Sequence, residues 1–137
     1  MRPTPPRRRA TLVAILAAVV AGGLAVRYLG PHVGLPWFIW KYAGSLLWAT
    51  MVFFLVALAA PAASLERIAA VAMAIAIAVE FSRLIEYPPL DAFRGTLAGA
   101  LTLGRFFSLW NIVAYAAGVG FAAMIDAALA RRSLTSS

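Results

Sequence analysis

An apolar run of small residues that begins at residue 74 is interrupted by two charged residues, Glu80 and Arg83. The sequence AIAIAVEFSRLIEYPPLDAFRG covers residues 74–95 and contains Glu80 followed, three positions later, by Arg83. Residues three apart share one face of an α-helix, so these two side chains are predicted to pair directly. Charged side chains are rare in membrane helices and generally face the bundle interior or a cavity with partners. We therefore expect both residues to face other helices.

Further polar residues are predicted to converge at the same end of a helix bundle. The basic residues near Glu80 outnumber the acidic ones, and guanidinium groups bind phosphate through paired hydrogen bonds. The predicted ligand is therefore anionic, such as a phosphate-bearing lipid headgroup. The candidate ligand-binding residues are Lys41, Glu80, Arg83, Arg94, Arg105, Asn111 and Tyr115.

Two other roles for these residues stay open at the level of sequence. Glu80 is the candidate catalytic residue, because a buried carboxylate beside arginines can act as an acid or base. Ser45 and Ser108 have no obvious basic partner, so whether the protein is an enzyme is uncertain. Alternatively, Glu80 only neutralises Arg83 or Arg94, and the charges serve assembly of a structural or accessory subunit. The chain has no cysteine, and neither a metal site nor a cofactor is predicted.

The composition is typical of an integral membrane protein. The chain has 137 residues, of which 64% are apolar and 12% charged. A soluble globular chain has about 45–50% apolar and about 25% charged residues. The net charge is +7, but the basic residues mainly flank apolar runs, where they set topology and meet anionic lipids. Nucleic-acid binding is therefore not expected, and membrane lipids are the predicted partners.

The uncharged runs predict an all-α fold in a single membrane domain, residues 1–137. The apolar run near the N-terminus also fits a secretory signal, but it exceeds the about 7–15 residues usual there, so it is interpreted as a retained helix. A glycine-rich segment, residues 90–104, is too short to cross a bilayer and is predicted to be re-entrant or interfacial. Gly95 and Gly99 in it form a pair suited to close helix packing. The predicted transmembrane helices are 10–28, 42–60, 66–86 and 106–127.

The distribution of arginine predicts the orientation. Arg7 and its basic neighbours precede the first predicted helix, and Arg131 and Arg132 follow the last. With four crossings, the positive-inside rule places both termini in the cytoplasm. The polar residues then gather in the outer leaflet. Asp126, near the cytoplasmic end, is expected to pair with Arg131 or to lie in the interface. A homo-oligomer or a partner membrane protein is possible.

The sequence resembles two families of membrane proteins. Residues 104–122, GRFFSLWNIVAYAAGVGFA, resemble the terminal signature of VanZ-like proteins. The stretches KYAGSLLWATMVFFL and VEFSRLIEYPPLDAFRGTLAGALTLG more closely resemble a small bacterial four-span family, domain of unknown function DUF2809. By this resemblance, the following residues fall on recurring polar or glycine positions of the family: Glu80, Arg94, Arg105, Asn111, Tyr115 and Gly118.

The chain departs from the family pattern at three positions. Ser45 and Asn111 stand where the family usually has aspartate, and Arg83 stands where it usually has glutamine. Each change removes an acid or adds a base, which argues against a mechanism that shuttles protons among several carboxylates. The VanZ-like resemblance implies a link to teicoplanin-type glycopeptide resistance. The predicted function is recognition of an anionic, lipid-linked component of the cell envelope.

Overall fold

The chain folds as a set of packed helices. A computed structural model describes residues 6–84, 88–96, 98–99 and 109–135, with side chains described up to residue 132. No strand occurs in these ranges. This finding confirms the predicted all-α class. The helices are α1 (Arg9–Leu29), α2 (Trp37–Ala59), α3 (Leu65–Ser82), α4 (Pro88–Arg94) and α5 (Leu109–Thr135).

Local sequence explains where several helices begin. The hydroxyl of Ser64 accepts a hydrogen bond from the backbone N–H of Arg67 at 3.3 Å, which caps the start of α3. Helix α4 begins at Pro88, whose fixed φ suits a first helical position. The loop between α1 and α2 turns at Gly34, which has a φ of 80°. That backbone conformation favours glycine because it has no Cβ.

Helix α2 is the centre of the bundle. It packs against α1, α3 and α5, and α3 also packs against α5. Helices α2 and α5 approach each other closely at Gly118, where a Cβ atom would overlap the backbone carbonyl of Leu46. Thr50 ties the two helices there, because its hydroxyl lies 3.0 Å from the carbonyl oxygens of both Leu46 and Gly118. Small residues at such a contact let two membrane helices pack backbone to backbone.

The helices also identify a multi-pass membrane protein. Helices α1, α2 and residues Leu109–Arg132 of α5 are long and apolar enough to cross a bilayer. Helix α3 falls outside this group because its 18 residues include Glu66, Arg67 and Glu80. Large apolar side chains cover the outer surface, including Trp110 at 70% exposure. A surface of this kind is stable in lipid rather than in water.

The segment predicted to be re-entrant is only partly within the described residues. Helix α4 ends at Arg94, and Gly95 and Thr96 form a turn. The hydroxyl of Thr96 then accepts the backbone N–H of Gly99 at 3.1 Å. Because this turn interrupts the helix, Gly95 and Gly99 do not form the continuous packing face that the sequence predicts. Residues 85–87, 97, 100–108 and 136–137 lie outside the described part, including Glu86 and Arg105.

Candidate functional site

The carboxylate of Glu80 is the centre of a buried polar cluster. Glu80 lies in the last turn of α3 and is fully buried. The hydroxyl of Tyr115 donates to its Oε2 at 2.8 Å, and Nδ2 of Asn111 donates to its Oε1 at 3.2 Å. Both donors are on α5, one turn apart, so they reach the same carboxylate. The apolar helices α3 and α5 are thus joined through one acidic side chain.

Arg83 completes the charge pairing that the sequence predicts. It caps the C-terminal end of α3, and its Nη1 lies 3.2 Å from Oε1 and 2.9 Å from Oε2 of Glu80. Its Nη2 donates to the hydroxyl of Tyr115 at 3.2 Å. The Arg83 side chain is 12% exposed, whereas that of Glu80 is 0% exposed. Arg83 is therefore the charged group of this pair that reaches the molecular surface.

Helix α2 joins the cluster through Ser45. The hydroxyl of Ser45 lies 3.2 Å from Oδ1 of Asn111 and 3.3 Å from the backbone carbonyl of Lys41. One turn further along α2, the ring of Trp48 packs on the ring of Tyr115 at 5.1 Å between centroids. Three helices therefore meet here. We define the polar cluster by the residues Ser45, Glu80, Arg83, Asn111 and Tyr115.

A second guanidinium group lies next to this cluster. Arg94, at the end of α4, is 4% exposed and donates through Nη2 to the backbone carbonyl of Ser82. Its Nη1 lies 3.5 Å from Oδ1 of Asp91, whose side chain is 54% exposed. Ser82 immediately precedes Arg83 in the chain. The two guanidinium groups thus reach the C-terminal end of α3 from two different helices.

Lys41 contributes its backbone rather than its charge to this arrangement. The ammonium group of Lys41 lies over the rings of Trp37 and Tyr42, at 4.5 and 5.2 Å from their centroids. Among the candidate ligand-binding residues, Glu80, Arg83, Asn111 and Tyr115 are in direct contact, and Arg94 adjoins them. Arg105 is outside the described residues. Ser45 was not among those candidates, although its place near the start of α2 indicated the correct end of the bundle.

The opposite end of the bundle holds an ion pair that the sequence did not reveal. Arg7 binds Asp126 with two parallel hydrogen bonds, from Nε at 2.7 Å and from Nη2 at 2.6 Å. Its Nη1 donates to the carbonyl oxygens of Pro61 at 3.0 Å and Ala63 at 2.6 Å. The expected pairing of Asp126 with Arg131 is therefore corrected. Residues five apart on a helix do not share a face, unlike residues three or four apart.

The geometry limits what Glu80 can do chemically. A general base must reach the proton that it removes. Glu80 is fully buried and already accepts hydrogen bonds from Arg83, Asn111 and Tyr115. This arrangement suits a carboxylate that holds Arg83 in position better than it suits a general base that removes a proton from a substrate. Within the described ranges, no group of three or more His, Cys, Asp or Glu residues could hold a metal ion.

Comparison with known proteins gives one match. The family model described as "Protein of unknown function (DUF2809)" matches residues 34–119. This range contains helices α2, α3 and α4 and every residue of the polar cluster. No curated protein and no solved structure matches the chain. The resemblance to VanZ-like proteins stays a prediction.

Proposed function

The chain belongs to the DUF2809 family, and we propose that it is a membrane protein that binds an anionic, phosphate-bearing lipid headgroup beside the polar cluster. One observation carries this proposal. Two guanidinium groups, of Arg83 and Arg94, reach the end of α3, where Glu80 is the buried carboxylate. Asp91 adds a second negative charge, but it is half exposed and 3.5 Å away.

The electrostatics of this region favour an anion. Charges interact more strongly in a low-dielectric interior than in water, and an exposed carboxylate is screened by solvent. Glu80 therefore balances one guanidinium well, and Asp91 balances the other less completely. A phosphate that Arg83 contacts at the surface would also add negative charge close to Arg94, whose partner Asp91 is screened by water. Arginine suits this role because its planar group can donate two parallel hydrogen bonds.

The proposal includes four membrane crossings. Helix α3 has 18 residues, which at 1.5 Å each extend about 27 Å, close to the about 30 Å of the hydrocarbon core. Glu66 and Arg67 are at one end of α3 and Glu80 is near the other, so residues 68–79 are uncharged. With α3 as a crossing, both termini lie on one side. The basic residues there favour the cytoplasm.

In this orientation the polar cluster lies in the outer leaflet of a bacterial inner membrane. The headgroup is then that of a lipid-linked component of the cell envelope. The resemblance to VanZ-like proteins supports a connection to glycopeptide tolerance. In the proposed complex, Arg83 and Arg94 contact the phosphate. Glu80 orients Arg83, and Tyr115 and Asn111 hold Glu80 in place.

A structural or accessory role is the second candidate, and a specific observation favours it. The carboxylate of Glu80 accepts hydrogen bonds from three protein side chains, so the cluster stabilises helix contacts without any ligand. In that case the charges serve assembly of the bundle or of a larger membrane complex. The two candidates predict different results when the arginines are substituted. The lipid proposal predicts loss of bound lipid, whereas the structural role predicts only loss of stability.

Native mass spectrometry of the protein released from its own membrane separates these candidates. The comparison uses wild type, Arg83→Gln, Arg94→Gln and a control variant, Arg27→Gln, which removes an exposed charge from the end of α1. We expect a discrete anionic lipid on wild type and on the control. Its occupancy should fall at least about tenfold in the other two variants, since charge-assisted contacts to phosphate contribute more than about 1.4 kcal/mol.

A conservative variant tests the geometry of the contact. Arg83→Lys keeps the charge but removes the paired hydrogen bonds, so it should retain only part of the lipid. If wild type carries no lipid, or carries the same bulk lipids as every variant, the headgroup proposal fails. If the variants also unfold at lower temperature, the accessory role is supported instead.

A further inference from the structure

An apolar groove runs between α2 and α5 on the outer surface of the bundle. Its volume is about 310 Å³, and its lining includes Tyr42 and Leu46 from α2 and Trp110, Ala114 and Ala117 from α5. These α5 residues lie on a different face of the helix from Asn111 and Tyr115, because successive residues are about 100° apart. The groove is therefore separate from the polar cluster.

The groove faces the surrounding lipid. Trp110 and Val113, both in its lining, are 70% and 58% exposed. In a membrane, such a surface is covered either by lipid chains or by another helix. Close packing of a second helix requires a separation of about 8–10 Å between helix axes and small residues along the contact. The bulky rings of Trp110 and Tyr42 hinder that approach, whereas a flexible acyl chain can pass between them.

A positive charge lies at one end of the groove. The ammonium group of Lys41 is 5.2 Å from the centre of the Tyr42 ring, and that ring lines the groove. It is also 4.5 Å from the centre of the Trp37 ring, at the first residue of α2. Lysine and tryptophan at a helix end are typical of the level of the lipid headgroups. Lys41 is therefore at the depth of a phosphate whose acyl chain enters the groove.

We propose that this groove binds one acyl chain of an anionic phospholipid, whose phosphate pairs with Lys41. The site shares no side chain with the polar cluster, so it does not depend on the function proposed for that cluster. The groove recognises an apolar chain by shape, and Lys41 selects an anionic headgroup over a zwitterionic one. The occupant is a lipid of the surrounding membrane.

The test is a titration in detergent with phosphatidylglycerol or phosphatidylcholine, followed by native mass spectrometry. Ala117→Leu fills the groove, and Ala116→Leu adds the same volume to an exposed neighbour that does not line it. We expect Ala117→Leu to weaken binding of both lipids at least about fivefold and Ala116→Leu to leave it unchanged. Thermal unfolding of each variant establishes that it is folded.

A second pair of variants tests the charge. Lys41→Gln should remove most of the preference for phosphatidylglycerol over phosphatidylcholine, whereas Arg27→Gln should preserve it. Arg83→Gln should leave this site unaffected even if the headgroup site at the polar cluster is lost. The proposal is overturned if Ala117→Leu binds lipid as wild type does, or if wild type binds both lipids equally. It is also overturned if wild type is a dimer that Ala117→Leu converts to a monomer, because the groove would then be an interface between two copies.

Discussion

The two ends of the bundle each hold a largely buried carboxylate paired with arginine, but they are built differently. At one end, Glu80 accepts hydrogen bonds from three side chains, and its ion-pair partner Arg83 is three residues away in the chain. At the other end, Asp126 accepts two hydrogen bonds from Arg7, 119 residues away in the chain. We call the second arrangement the terminal clamp, consisting of Arg7, Pro61, Ala63 and Asp126.

The difference lies in which groups surround each arginine. In the terminal clamp, Nε and both Nη atoms of Arg7 are bound to Asp126 or to backbone carbonyls. Such a group is suited to fastening chain segments together. At the other end, Arg83 pairs with the buried Glu80, and the adjoining Arg94 pairs with the partly exposed Asp91. This difference is the basis on which we propose ligand binding at the polar cluster and a purely structural role for the terminal clamp.

Removing the carboxylate of the polar cluster should have the largest effect on stability. Glu80→Ala should lower the free energy of unfolding by about 3–5 kcal/mol, because it removes the buried carboxylate to which Arg83, Asn111 and Tyr115 all donate hydrogen bonds. The measurement is equilibrium unfolding in mixed detergent micelles. Glu66→Ala, at the exposed start of the same helix, is the control and should change stability by about 0.5 kcal/mol at most. Equal losses in both variants would remove the distinction between a buried and an exposed acid.

Variants at the contact between α2 and α5 test whether the stability of the polar cluster and that of the terminal clamp depend on how closely these helices pack. Gly118→Ala should lower the free energy of unfolding, measured in the same detergent micelles, by about 2 kcal/mol, because the new methyl group overlaps the carbonyl of Leu46. Gly120→Ala, where a Cβ meets nothing within 4 Å, is the control and should not lower the free energy of unfolding.

The coupling itself is measured by combining variants. Gly118→Ala displaces α2 relative to α5, so its cost should not add to that of Glu80→Gln, whose cluster spans both helices through Ser45. Its cost should add to that of Asp126→Asn, because the terminal clamp does not depend on this contact. Additive costs in both double variants would show that the polar cluster is independent of the α2–α5 distance.

A single hydroxyl in the polar cluster should have a smaller effect. Tyr115→Phe removes a donor to Glu80 and an acceptor for Arg83, so it should cost about 1.5 kcal/mol. Tyr28→Phe, on the exposed surface of α1, is the matched control and should have almost no effect. Thermal unfolding in one detergent measures both. A neutral Tyr115→Phe would mean that Asn111 and Arg83 are sufficient to hold Glu80.

The terminal clamp should give the smallest effect and a distinctive dependence on salt. Asp126→Asn should lower the free energy of unfolding by about 1 kcal/mol at low ionic strength, because the amide oxygen still accepts one Arg7 hydrogen bond and Arg7 keeps its two backbone carbonyl partners. At high salt this cost should decrease, because mobile ions screen charges near water. The cost of Glu80→Gln should not change with salt. Salt-independent costs at both ends would show that the terminal clamp is as isolated from water as the polar cluster.

The helical class and the Glu80–Arg83 pair were predictable from local sequence. Long uncharged runs are sufficient to identify apolar helices, and a separation of three residues is sufficient to place two side chains on one face. The close contact between α2 and α5 was harder to predict from the sequence. Gly118 was noted only through the family resemblance, and its contact with Leu46 depends on how two helices cross.

Contacts between distant segments could not be predicted. The sequence shows a basic N-terminal segment, but nothing in it distinguishes Arg7 from Arg8 or Arg9 as the partner of Asp126. The role of Lys41 was also hidden, because its backbone position near the polar cluster does not reveal that its side chain lies over Trp37 and Tyr42. Both outcomes depend on side-chain direction and helix arrangement, which a single sequence does not contain.

The terminal clamp also has a consequence for biosynthesis. Asp126 is synthesised 119 residues after Arg7. At roughly 5–20 residues per second, about 6–24 s separate the two. During this interval the Asp126 carboxylate, to which Arg7 binds in the folded protein, has not yet been synthesised. Closure of the terminal clamp therefore requires that α5 has already packed against the earlier helices, so its formation reports that α5 is in position.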